Sequence, residues 1–208
     1  MTVDGPGVRE ALLGQWHRLA EAVPGLDLSR PSRVERWRNR EVVAHLCLQP
    51  ILLGRFLATE SDRQPSVDVA ANLAGTGALG DLVDASATRA ARRGELDLAG
   101  AVAGVVADLR AARLEGTIVT LQGPISLVDY LVTRCVEAVV HGGDLVEPVP
   151  PVPEAEALAA AALGQLLARR APHLVDRAEE LGATTWIELA TGRAAATGEL
   201  GEYLPLMT

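Results

Sequence analysis

Apolar residues recur at helical spacing along most of this chain. In residues 7–23, Leu12, Leu13, Trp16, Leu19 and Val23 return every three or four positions, which predicts an amphipathic helix stopped by Pro24 and Gly25. A second helix is expected over residues 40–60 with Asn39 as its N-cap. Pro50 predicts a kink or an end inside it, because proline lacks an N–H and crowds the preceding turn. Beyond a looser segment from Ser61, helical stretches are expected over 81–93 and 98–113, interrupted at Gly94. Thr117 to Gly123 alternates and is β-rich, so a short strand is expected there. The clearest helix start follows, where Ser126 and Asp129 form a capping-box pattern ahead of a helix reaching Gly142 and Gly143. Residues 147–153 (EPVPPVP) read as a stiff extended linker, followed by an Ala/Leu helix over 154–170. Residues 184–193 and 194–199 read as two strands around a turn, and 200–207 as a closing helical turn.

Composition supports a mainly helical chain. Apolar residues make up 49% and aromatic ones only 3%, which disfavours an all-β sandwich. The net charge of −8 and a pI near 5.0 exclude phosphate-backbone binding as a main task, so no nucleic-acid partner is expected. All 19 basic residues are Arg, which reads as the coding bias of a GC-rich genome. Cys47 and Cys135 make no disulfide framework, and a chain of 208 residues needs none to build a core. No apolar run approaches the ~18 residues of a membrane span, and the first residues do not resemble a signal peptide. The expectation is a cytoplasmic protein without a membrane partner.

Chemistry concentrates on the helix after Ser126. Tyr130, Arg134, Glu137, His141 and Asp144 are spaced 4, 3, 4 and 3 and fall within roughly 80° of helical arc, opposite Val128, Leu131, Cys135 and Val139. Glu137 and His141 are therefore neighbours, and a carboxylate and an imidazole one turn apart can bind the same cation. A third ligand must come from another helix, and among the remaining histidines His45 is the best placed. The alternative is a solvated polar stripe on a half-buried helix.

Other features read as ordinary. Gly75 to Gly80 spells G-x-G-x-x-G, but without a preceding strand or a βαβ series it is expected to be a loop, bordering the cleft at most. His17 and His173 have no partner pattern. Trp16, Trp37 and Trp186 read as packing anchors, and the two cysteines as buried hydrophobes.

Two segments carry a resemblance. Residues 31–46 run from Pro31-Ser32 to Trp37 and into Val42-Val43-Ala44-His45-Leu46, and residues 135–145 hold Glu-x-x-x-His-x-x-Asp-Leu as Glu137, His141, Asp144 and Leu145. Both resemble the signatures of the mycothiol-dependent maleylpyruvate isomerase family, DinB-like helical bundles common in actinobacteria. Residues 186–193 and 196–207 are similar to a short version of the sterol-carrier-like C-terminal region of many members.

The resemblance implies a DinB-like four-helix bundle over residues 1–147, a Pro-rich linker at 148–153 and a small α/β appendage at 154–208. It implies a divalent metal, zinc by family habit, on His45, Glu137 and His141, with Asp144 orienting a ligand. Mycothiol is the implied cosubstrate, for isomerisation or S-transfer on a small electrophile. Arg134 and Arg193 are the cations available to a thiol or substrate. Each has a simpler role open to it, Arg134 pairing with Glu137 and Arg193 serving as a turn arginine. A non-catalytic member, binding a small ligand or a protein, is the alternative function.

Overall fold

In chain order the first half contains α1 (Gly5–Ala22), α2 (Asn39–Leu57), the short α3 (Val69–Ala74), α4 (Gly80–Arg93) and α5 (Leu98–Ala111). A hairpin of β1 (Thr117–Thr120) and β2 (Gly123–Ser126) leads into α6 (Leu127–Asp144). Then come α7 (Pro153–Arg170), α8 (Val175–Glu179), α9 (Ala183–Ala190) and α10 (Gly198–Gly201). The computed structural model describes residues 4–59 and 61–207. Residues 1–3, part of the segment read for a signal peptide, and Glu60, at the end of the expected second helix, lie outside the described residues.

α1 packs against α5 and α6, and α2 packs against the same two, so these four helices close into a bundle. Each contributes an apolar stripe: Leu12, Trp16 and Leu19 from α1, Val42, Leu46 and Leu53 from α2, Val102 and Leu109 from α5, and Leu131 and Cys135 from α6. α4 lies on α2, and α7 lies across α1 and α6 with its Ala/Leu face inward. The apolar core runs unbroken from Val8 through Leu163 and Leu167 of α7 to Leu206.

α6 occupies the centre and explains the site's position. Ser126 Oγ accepts from the Asp129 N–H at 3.1 Å and starts the helix where the sequence predicts. α6 buries residues on nearly its whole circumference, because α1 and α7 cover one side while α2 and a cavity cover the other. The polar stripe therefore faces the interior rather than water.

The chain is mainly α with a small two-stranded sheet. Several local expectations are corrected. Of the two outcomes expected at Pro50, the helix end is absent: α2 is helical from Asn39 to Leu57 with Pro50 inside it. Burial of Leu46 and Leu53 on either side outweighs a local cost of about 3 kcal/mol. Asn39 is the first helical residue rather than the cap. Its side chain ties two loops, donating to Asp27 O at 3.0 Å and accepting from Val146 N–H at 3.1 Å. The expected strand at 117–123 proves to be an antiparallel hairpin that turns at Gly123, whose φ of +127° suits only glycine.

Residues 184–193 were expected to be extended, but most of this segment is α9, and residues 194–197 are irregular. Helical spacing puts Trp186, Ile187 and Ala190 on one face against α7, where Trp186 Nε1 donates to Ala160 O at 3.0 Å. A strand would send Trp186 and Ile187 to opposite sides and leave one of them without cover.

Candidate metal centre

Two helices meet at the site. α2 contributes His45 and, one turn on, Gln49; α6 contributes Arg134, Glu137, His141 and Asp144. Ligand atoms of His45, Glu137 and His141 all lie within 4.8 Å of one another, the one such cluster of at least three His, Cys, Asp or Glu among the described residues. Glu137 Oε2 is 3.0 Å from His45 Nε2 and 3.4 Å from His141 Nε2. The two imidazole rings stand edge to face at 4.6 Å, and Trp37 packs against both.

Burial disfavours charge on all three groups, and their hydrogen bonds decide what remains. Burial lowers the His45 pKa, and its bond to Glu137 only partly opposes this, so the ring is neutral. Burial would also raise Glu137, but hydrogen bonds from His141 and His45, with Arg134 nearby, hold the carboxylate well below its ordinary range. His141 is pushed the other way. Despite burial, its bonds to Asp144 and Glu137 raise it to about 9. Asp144 is held at about 2 against its own burial by His141 and Arg193.

The donor set suits a cation. His141 donates Nδ1–H to Asp144 Oδ2 at 2.9 Å, so its Nε2 is the atom presented to Glu137. On α2, Gln49 Oε1 accepts from Arg134 Nη1, which fixes the Gln49 amide nitrogen toward His45 Nε2 at 3.0 Å. One ring nitrogen cannot both accept from this amide and donate to Glu137 Oε2, which also lies 3.0 Å away, and a cation bound by Nε2 and Oε2 resolves that conflict. Two imidazoles and one carboxylate form the three-protein-ligand set that leaves a position open for an exogenous group.

The open side faces a cavity of about 480 Å³, lined by His45, Glu137, His141, Arg134 and Arg193 among mostly apolar neighbours. Its rim includes Thr76, Gly77, Leu79 and Gly80, so the glycine-rich segment is a loop and short helical turn bordering the cleft.

Arg193 is no free turn arginine: Nε and Nη2 grip both oxygens of Asp144 at 3.0 and 2.7 Å. Arg134 makes no ion pair with Glu137, which is turned toward the histidines. His17 and His173 are exposed, and Cys47 and Cys135 are buried. Sequence reasoning missed two residues. Gln49 had a signal, since it lies four residues after His45 on the same helical face. Trp37 was read only as an anchor, yet besides packing on both imidazoles it donates Nε1–H to Asp84 Oδ1 of α4 at 2.7 Å.

Fold and site define a helical bundle with a two-histidine, one-carboxylate cluster between two of its helices. Residues 9–146 match the family model of the mycothiol maleylpyruvate isomerase N-terminal domain, and the chain belongs to that family. No curated protein and no solved structure matches the chain significantly. Among the described residues, no helix is long and apolar enough to cross a membrane.

Proposed function

We propose that this protein is a metal-dependent enzyme that uses a low-molecular-weight thiol, mycothiol by family membership, for isomerisation or S-transfer on a small electrophile. The observation that carries this reading is the convergence of His45, Glu137 and His141 on the wall of a cavity with room for a substrate. These three residues would hold the ion, with zinc the best fit to a nitrogen-and-oxygen donor set of this kind. Bound there, a divalent cation supplies the charge that keeps an incoming thiol deprotonated at neutral pH.

The chain's own residues do the rest. Asp144 holds the His141 ring in the tautomer that presents Nε2. The apolar walls limit water around the thiolate. Cys47 and Cys135 are buried and pushed up to about 12 by that burial, so the nucleophilic sulfur comes from outside. Addition of an external thiolate to an activated double bond forms a C–S bond and frees rotation. Expulsion of the same thiolate restores the double bond in the other geometry. Attack on a saturated electrophile instead expels its leaving group and completes S-transfer. A cytoplasmic location, where such thiols are kept reduced, suits this chemistry.

The test is metal content followed by turnover. Purified protein should carry one zinc per chain, lost in His141→Ala with helical content unchanged, and should consume mycothiol or isomerise substrate with an electrophile panel that includes maleylpyruvate. Metal-free protein, or zinc protein inert toward every thiol and electrophile, would instead support the non-catalytic binding role.

A further inference from the structure

Arg134 is a buried cation without a counterion at hand. Its residue is only 9% exposed, and among the described residues no carboxylate oxygen lies within 4.0 Å of its guanidinium nitrogens. Every partner it has is neutral. Nη1 donates to Gln49 Oε1, Nε and Nη2 each reach Thr133 Oγ1 at 3.4 Å, and the guanidinium carbon sits 4.7 Å from the centre of the Tyr130 ring. An arginine has five N–H donors, and these contacts occupy three. Among the described residues the remaining two have no protein acceptor, and Arg134 lines the cavity. A buried charge left so is strongly unfavourable, and an incoming anion offsets that penalty.

The charge of the other arginine on the cavity wall, Arg193, is already paired with Asp144. Among the described residues, Arg134 is thus the one arginine of the cavity that no carboxylate pairs. The walls beyond it are mostly apolar, with Leu52, Phe56 and Val83 among them beside uncharged polar groups such as Asn72 and Ser86.

We propose that the cavity binds molecules that carry a carboxylate on a bulky apolar body. Arg134 takes the carboxylate through its two unused N–H groups, and Leu52, Phe56 and Val83 pack the body. Arg134 and Glu137 are three residues apart on α6, about 5–6 Å between Cβ atoms, so the carboxylate lies within a few bonds of the cluster of His45, Glu137 and His141. Calling the ligand an electrophilic substrate rests on the thiol reaction proposed above; the binding itself needs only Arg134 and the cavity.

The experiment compares trans-cinnamate and its uncharged amide trans-cinnamamide by titration calorimetry, on zinc-loaded and on chelator-treated protein, with zinc content measured in parallel. Cinnamate is expected to bind about 10- to 100-fold more tightly than cinnamamide in both forms. Arg134→Gln should lower cinnamate to the level of the amide while zinc content stays unchanged, and Arg134→Lys should keep part of the preference. The proposal is overturned by equal binding of acid and amide, by no binding of cinnamate, or by a preference that survives Arg134→Gln. A preference lost with zinc but kept in Arg134→Gln overturns it too, since the carboxylate then sits on the metal. If Arg134→Gln does not fold, the acid–amide comparison with and without zinc decides on wild-type protein alone. Absence of zinc from the purified protein defeats the metal-dependent reading and leaves this test intact.

Discussion

Arg193 holds Asp144 by both carboxylate oxygens, at 3.0 and 2.7 Å, and Asp144 in turn accepts the Nδ1–H of His141 at 2.9 Å. A turn near the C-terminus thereby fixes the ring of a proposed ligand in the bundle. Arg193→Met should weaken zinc binding by roughly 10- to 100-fold without loss of fold, because the second partner of a ligating histidine sets its orientation and basicity. Chelator competition measures this. An unchanged affinity would mean that Asp144 orients His141 unaided.

Removing the shared carboxylate costs more. Asp144 is fully buried, so Asp144→Ala leaves Arg193 and His141 without their acceptor and should destabilise the protein by about 3 kcal/mol. Denaturant unfolding of wild type and variant, both metal-free, supplies the comparison.

The pH dependence of metal-free protein follows from His141. Burial opposes its charge, but Asp144 and Glu137 overcome this and set the folded value at about 9, above the ~6.5 of an unfolded histidine. A raised folded-state value contributes stability that is complete below pH ~6.5 and lost as pH rises through about 9. The Tm of chelator-treated protein should therefore fall between pH 7 and pH 9, and His141→Ala should flatten that slope. His45, lowered by burial, acts only on the acid side, where protonation of the unfolded chain destabilises the fold. Thermal melts across this range would refute the assignment if the two proteins showed parallel slopes.

The cysteines provide a direct check on the source of the nucleophile. With Cys47 and Cys135 both pushed to about 12 by burial, a thiol reagent at pH 8 should find no reactive group in folded protein and two after denaturation. Rapid modification of either in the native state would remove the need for an external thiol.

Adjacent glycines at the end of α6 should respond in opposite ways. A Cβ at Gly142 would lie 3.0 Å from Leu19 Cδ2 and 3.4 Å from Val149 O, whereas one at Gly143 meets nothing within 4 Å. Gly142→Ala is expected to destabilise by about 1–2 kcal/mol through crowding against α1. Gly143→Ala should be neutral or stabilising by up to about 1 kcal/mol, since alanine is the better helix former. Equilibrium unfolding of the pair tests how closely α1 and α6 approach.

Much of this was legible in the chain, because local chemistry is strong at particular positions. Ser126 and Asp129 mark the start of α6, and the spacing of Glu137 and His141 places them on one face whatever the rest of the fold does. The C-terminal segment was misread because residues 184–190 suit either state in isolation, and packing of Trp186 on α7 selected the helix. At Pro50 the expected helix end is absent for a similar reason, a local penalty yielding to burial along α2.

The sequence by itself determined the helical class and the face shared by Tyr130, Arg134, Glu137, His141 and Asp144. These follow from periodicity and composition, which act over a few residues or over the whole chain. Only the tertiary structure decided that this face turns inward, that His45 arrives 3.0 Å from Glu137, that Arg193 is committed to Asp144, and that Arg134 is left facing a cavity with N–H groups to spare. Those relationships join residues 49 to 92 positions apart, and their distances are set by how helices pack rather than by any preference of the residues themselves.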